Sequence, residues 1–434
     1  MVHCREPAPA TRIARVCRAS WETPFVIADA DTKRRQRDIT VQSAMTTYDS
    51  MEAAMLKIFR PMLGVALVFA TTLATAQQDP IKIVGLVELS GTGTTSGTNF
   101  DNGIKLAVKE INASGGILGR KVEYTSMDTQ SAPQTAKALA QKAIDQNAYV
   151  VMGPVFSGSI IVSMVETRRA EIANFTGGEA ASITQQGNPY IFRTSFTQST
   201  AMPKVARYIK DDLKAKSVAI IYVNNDFGKG GRDVMVKALE AGGIKVVADI
   251  STDPGQLDFS GAVLKAKQSG ADALFVYTNE EESARALREL KKQGYDKPIV
   301  GETTLTSQKV IELAGDAANG AIAHVGLTAD APQPTIKAFD EKFQKEYKYK
   351  SDHNGLKGYS AMYIVKVMTE RNGKVDSKML ANSMHGAKIS VSDNPGVLLD
   401  VTFDQNGDLD RAGFMTKVVD GKQQVIGLVP PAAK

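Results

Sequence analysis

Three loops rich in glycine and small polar residues follow short β-branched runs in this chain: Gly153-Pro154-Val155-Phe156-Ser157-Gly158-Ser159, Thr176-Gly177-Gly178-Glu179-Ala180-Ala181 and Asn224-Asn225-Asp226-Phe227-Gly228. Such residues at the ends of strands suit noncovalent recognition, because glycine lets backbone N–H groups approach an anion closely and a following helix N-terminus points further amides outward. Covalent and metal chemistry have little to stand on. Downstream of residue 54 there is no G-x-S-x-G elbow, H-E-x-x-H pair or G-x-x-x-x-G-K-[ST] loop. The histidines there, His324, His353 and His385, stand singly. Gly91, Gly93 and Gly97 do follow an apolar run, with Asp128 ending the next one, where a ribose-binding acid would stand in a dinucleotide enzyme. The spacing is G-x-G-x-x-x-G, one residue too long, so Asp128 is expected to be a turn or cap residue and no cofactor is expected.

Those loops need a scaffold, and from Ile81 onward the pattern supplies one. Short β-branched runs (81–87, 121–127, 148–152, 217–223, 244–250, 272–277) alternate with amphipathic stretches of ten to fifteen residues, as in a parallel sheet covered by helices. Phe100, Ile104, Ala107, Val108 and Ile111 recur at helical spacing, and Gly115-Gly116 closes that helix. The alternation occurs twice, over roughly 81–195 and 217–325, which predicts an α/β protein with two lobes. After Leu327 the pattern changes to three helical stretches and then to short strands around Asp404-Gln405-Asn406-Gly407-Asp408, too little for a third domain.

The N-terminal region has a different character. From Met55 the chain reads MLKIFRPMLGVALVFATTLATAQQ, with Lys57 and Arg60 before an apolar run and Ala74-Thr75-Ala76 after it. That is the three-part form of an export signal, with an apolar run too short to span a bilayer. Cleavage after Ala76 is expected, with no cysteine following to carry a lipid. Residues 1–54 are either a start placed too early or a disordered extension. Cys4, Cys17 and Trp21 all lie in that segment, so the remainder has neither disulfide nor thiolate chemistry. The chain's formal charge of +5 falls closer to zero without residues 1–76, and no basic cluster with interleaved aromatics suggests nucleic acid.

Laid out this way, the chain from Ile81 resembles the periplasmic leucine/isoleucine/valine-binding protein family of ABC importers. The resemblance rests on IKIVGLVELSG (81–91), GIKLAVKEINASGGILGR (103–120), GPVFSGS (153–159), YIFRTS (190–195), VNNDFG (223–228) and VTFDQNG (401–407). It implies two doubly wound parallel-sheet lobes joined by three crossovers, 77–199 with 328–398 and 200–327 with 399–434, closing on a ligand held between them. It also implies a periplasmic monomer that binds a small amino acid or related polar ligand and delivers it to an inner-membrane permease. A sensory receptor of the same fold, taking an amide or aromatic acid, is the alternative.

Residue by residue, the resemblance gives Ser157 a bond to the ligand carboxylate, although the same serine could cap the helix it begins. It gives Gly177 and Glu179 main-chain contacts to that carboxylate, with Gly178 beside them. Glu179 stands where the leucine-binding pattern has a hydroxyl residue, so it would face an ammonium or amide, or else only favour the next helix's N-terminus. In the second lobe Phe227 matches an aromatic wall, Tyr277 and Asn279 form a loop, and Glu302 lies within one residue of the family's ammonium-binding acid, with Thr303 competing. Glu280-Glu281-Glu282 is read as helix N-terminal charge. Ser96 and Asn354 stand where the family has aromatic rings, which removes walls that would reward burial of a leucine side chain by roughly 1.5–3 kcal/mol. The pocket is therefore expected to be more polar.

Overall fold

The computed structural model describes residues 78–431; the extension (1–54) and export signal (55–76) read from the sequence lie outside them. The first lobe is built on five parallel strands, β1 (Ile81–Val87), β2 (Val122–Asp128), β3 (Val150–Met152), β4 (Ala173–Thr176) and β5 (Ile191–Arg193), in the order β2-β1-β3-β4-β5. Between them run helices α1 (Thr94–Ala113), α2 (Pro133–Asp145) and α3 (Ser157–Arg169). β1, β3 and β4 are almost wholly buried, which is why β1 and β3 read as largely apolar runs rather than as alternating ones.

The chain then enters the second lobe through α4 (Gln198–Asp211), followed by β6 (Ser217–Val223), α5 (Asp226–Ala241), β7 (Lys245–Thr252), α6 (Ser260–Gln268), β8 (Ala273–Tyr277), α7 (Glu280–Lys292), β9 (Ile299–Glu302), α8 (Gln308–Ala314) and β10 (Ile322–Val325). These five strands are also parallel, in the order β7-β6-β8-β9-β10, the winding of the first sheet repeated. In this winding the order reverses beside the first strand, which opens a crevice beyond the carboxyl ends of β1/β3 in one lobe and β6/β8 in the other. The glycine- and hydroxyl-rich loops of the sequence emerge at these crevices.

Helices α9 (Pro334–Tyr347), α10 (His353–Asn372) and α11 (Ser377–Met384) return to the first lobe. α10 lies against α1 so closely that a Cβ on Gly103 would stand 2.0 Å from the carbonyl oxygen of Gly355, and one on Gly358 2.2 Å from that of Phe100. Glycine at both positions lets the two backbones meet, and α10 is buried along nearly its whole length. Strands β11 (Lys388–Ile389), β12 (Val401–Phe403) and β13 (Leu409–Asp410) form a small antiparallel sheet.

One boundary differs from the expected one. The segment around β12 and β13, assigned by sequence to the second lobe from residue 399, sits against β5 of the first: Arg193 donates its backbone N–H to the Gly407 carbonyl, its guanidinium pairs with Asp408 at 2.6 Å, and Phe192 meets Phe403 edge-on. The last passage between the lobes follows Asp410, where β14 (Gly413–Val419) joins β10 antiparallel and β15 (Lys422–Val429) closes the edge. Two-residue strands and a turn carry too little periodicity to announce which sheet they accompany.

Candidate functional site

A cavity of about 280 Å3 lies between the lobes, and residues from the carboxyl ends of strands in both sheets line it. On the first-lobe side the lining residues Val155 and Phe156 rest on Glu88, just past β1. This carboxylate is fully buried and accepts the backbone N–H groups of Phe156 at 2.9 Å and Val155 at 3.2 Å, fixing the loop between β3 and α3. Burial pushes its pKa up to about 7 against the pull of those amides. α1 can start directly above because Gly97 has no Cβ; one would stand 2.2 Å from the Glu88 carbonyl oxygen.

Ser157 is the first residue of α3, and no side chain caps that helix. The capping role considered for Ser157 is therefore not what it does here: its Oγ accepts from Ala180 N–H at 3.3 Å and ties the two first-lobe loops together. Ser157, Gly158 and Ser159 all line the cavity, and the buried Ser159 Oγ has no hydrogen-bond partner. Gly177 and Gly178 line it as well. Their carbonyls are held from behind, Gly178 by Arg193 Nη1 at 2.6 Å and both by Ser195 Oγ at 3.0 and 2.8 Å. Arg193 is itself wholly buried, and also reaches Ala180 and Thr184.

Glu179 is not the exposed helix-start acid that was one of its two expected roles. It is buried, meets Lys357 Nζ at 3.2 Å, and accepts the Tyr277 hydroxyl from the other lobe at 3.1 Å. Burial, and then the neighbouring Glu302, push its pKa up to about 7, with Lys357 opposing. Tyr277 in turn accepts from Gln198 Nε2 at 3.1 Å and stacks against Phe227, ring centroids 4.2 Å apart. Phe227 lines the cavity while Tyr277 supports it from behind.

The remaining second-lobe candidates separate. Asn279 lines the cavity, but its side chain works in a capping box with Glu282 at the start of α7. Glu302 is outside the lining: it is buried beyond Glu179 with Oε1 3.3 Å from His324 Nδ1, and burial raises its pKa to about 7. Burial likewise lowers that of His324 to about 3, so this histidine is a neutral core residue. Thr303 opens on a smaller neighbouring hollow beside Ser307 and Thr328, whereas Thr304 reaches the main cavity.

Ser96 and Asn354 both line the cavity, as does Glu280, which had been read only as helix charge. Glu280 is the first residue of α7 and yet 97% buried, since its relative exposure is 3%. Ser96 Oγ donates to it across the lobes at 2.8 Å, and beside this Thr95 Oγ1 donates to Glu281 at 2.9 Å. Lys357, His353 and Phe156 are further lining residues that the sequence did not single out. Lys357 lies on a helix buried on all sides, where no amphipathic stripe marks one position. Glu280 carries the same sequence signature as any exposed acid in a first helical turn. Asp128 is engaged by its own turn and by the loop after β1, accepting from Leu89, Ser90 and Gln130 N–H and from Ser90 Oγ; desolvation raises its pKa, but these bonds together outweigh it and hold the pKa low.

Comparison with known proteins is consistent with this geometry. A family model described as periplasmic binding protein matches residues 80–423. Among curated relatives, a Leu/Ile/Val-binding protein of Rhizobium johnstonii is 27% identical over 354 residues, spanning 81% of this chain and 95% of its own. A leucine-, isoleucine-, valine-, threonine- and alanine-binding protein of Pseudomonas aeruginosa is 26% identical over 337 residues, 77% and 89% of the two chains. Among solved structures, an isoleucine complex of a branched-chain amino acid transporter substrate-binding protein from Streptococcus pneumoniae superposes with TM-score 0.72 at 23% identity, covering 80% of this chain and 99% of that one. A solute-binding protein of R. palustris in complex with benzoate gives 0.75 at 22% identity, covering 82% and 98%.

Proposed function

The chain belongs to the periplasmic binding protein family, and from that premise we propose that it is the periplasmic receptor of an ABC importer, capturing a small amino acid or related polar ligand between its lobes. The observation that carries this reading is the convergence on one cavity of an uncapped helix N-terminus (Ser157–Ser159) and the Gly177-Gly178 turn. Backbone amides and a helix dipole together favour a carboxylate there. Curated relatives bearing the names of amino-acid-binding proteins support the ligand class. On this reading the protein is a monomer, is exported through the segment ending at Ala76, and passes its ligand to an inner-membrane permease without chemistry of its own.

Closure fits the same role. Three side-chain hydrogen bonds join the lobes around the cavity, from Ser96 to Glu280, Thr95 to Glu281 and Tyr277 to Glu179. A ligand touching both walls binds the closed state better than an open one and so shifts the population toward it. A second reading, an aromatic-acid receptor, has Phe156 and Phe227 in the lining and benzoate in a structural neighbour to support it. A thermal-shift panel of amino acids, amides and aromatic acids tests both: a bound ligand at a hundred times its Kd stabilises by about 2.7 kcal/mol. Ser157→Ala should weaken the response by more than its lost bond to Ala180 lowers the ligand-free melting temperature. No response to any carboxylate in the panel would refute the assignment.

A further inference from the structure

Three polar side chains of the cavity lining, Ser96, Glu280 and Asn354, have unbalanced bonding. Glu280 of the second lobe accepts from Ser96 Oγ at 2.8 Å and from its own backbone N–H, and no cation of the described residues pairs with it. Asn354 of α10 is 1% exposed, gives its amide N–H to Asp352, and leaves Oδ1 with no hydrogen-bond partner. Both line the same cavity, as does Ser96. A buried carboxyl group without a cationic partner ionises only at a cost, and a buried amide oxygen left without a donor is costly as well.

No charged neighbour supplies a positive donor. Glu281 and Glu282 share the first turn of α7, and Asp226 begins α5; all three are acids. From the α10 side come Asp352, which caps that helix, and His353, which burial keeps neutral. Among the described residues the only lining cation, Lys357, is engaged by Glu179 and the Gly177 carbonyl. Glu302, which resemblance offers as the ammonium-binding acid, is outside the lining and against His324.

We infer that Glu280, with Asn354 Oδ1 and Ser96, forms the subsite that accepts a cationic nitrogen of the ligand, and that this nitrogen is required for tight binding. The inference rests on the receptor reading above and narrows it to carboxylates that also carry an ammonium or similar group. Burial, and then the neighbouring Asp352 and Glu281, push the Glu280 pKa up to about 8 in the ligand-free site. At pH 7 its carboxyl is therefore mostly protonated, and a cation takes the place of that proton.

The experiment compares matched pairs that differ only in the nitrogen, such as leucine with 4-methylpentanoate, phenylalanine with 3-phenylpropanoate and 4-(aminomethyl)benzoate with 4-methylbenzoate. Titration calorimetry is run at pH 7 in two buffers of different ionisation heat. The amine member of the best pair should bind at least tenfold tighter and release most of one proton. Glu280→Gln should remove both the preference and the release, while keeping the ligand-free melting temperature within a few degrees. Asn354→Leu should reduce the preference without abolishing proton release. Binding of the nitrogen-free acids alone, or equal binding within each pair, overturns this inference and leaves the receptor reading standing. Loss of the preference in Glu302→Gln but not in Glu280→Gln overturns it in favour of the other acid. Silence of every probe overturns both.

Discussion

Replacing Glu88 by Gln isolates the cost of keeping a carboxyl under the cavity floor. The group is fully buried, and burial raises its pKa from 4.5 to about 7. A raised folded-state pKa means that the native protein holds this proton more tightly than the unfolded chain does. The associated stability is thus complete below pH 4.5 and lost as pH rises to 7. At 1.36 kcal/mol per pKa unit, a shift of 2.5 units amounts to about 3.4 kcal/mol. Glutamine matches the protonated carboxyl in shape, and its oxygen can still accept from Phe156, the closer of the two amides. The variant should therefore equal the wild type within about 1 kcal/mol at pH 4.5 and gain on it steadily, being about 3 kcal/mol more stable by pH 8.5. Urea unfolding of both proteins at five pH values measures this, and the difference curve removes every other titrating group. A flat difference, or one that turns against glutamine as pH rises, would show that Glu88 is ionised in the native site at ordinary carboxylate pH.

Two further substitutions probe the scaffold beneath the site. Gly97→Ala places a Cβ 2.2 Å from the Glu88 carbonyl oxygen and 2.6 Å from its carbonyl carbon and nitrogen, all backbone atoms, so α1 must withdraw. A loss of about 3 kcal/mol is expected, with ligand response weakened as well because Ser96 moves with the helix; an unchanged melting temperature would refute the close packing of α1 on β1. Arg193→Met strips the wholly buried guanidinium from Asp408, Gly178, Ala180 and Thr184. It should cost about 3–5 kcal/mol and disorder the Gly177-Gly178 turn, seen as accelerated amide exchange there; exchange confined to the 404–408 turn would mean that the guanidinium does not organise the ligand loop.

Much of the molecule was legible in the sequence because its signals are local. Each strand is a β-branched run and each covering helix has a 3.6-residue stripe, as with Phe100, Ile104 and Ile111 of α1. Repeating that alternation twice leaves few foldings other than two parallel sheets. Strand-end loops must then face the crevices, so the loops could be located from order, and Ser157, Gly177, Gly178 and Phe227, picked out within them by the resemblance, line the cavity.

What the sequence left open depends on partners far apart along the chain. Glu179 finds Lys357 across 178 residues and Ser96 finds Glu280 across 184. No periodicity joins such pairs. An acid in a first helical turn reads the same whether solvent or a cavity faces it, so only burial by the opposite lobe turned Glu280 from helix charge into a lining residue. Glu302 moved the other way, because strand β9 points it behind Glu179 toward His324. The sequence by itself determined which loops line the cavity and the two-lobed scaffold that holds them. Tertiary structure decided which of its charges are left unpaired there, because pairing is set by distance in space and by the water that closure excludes.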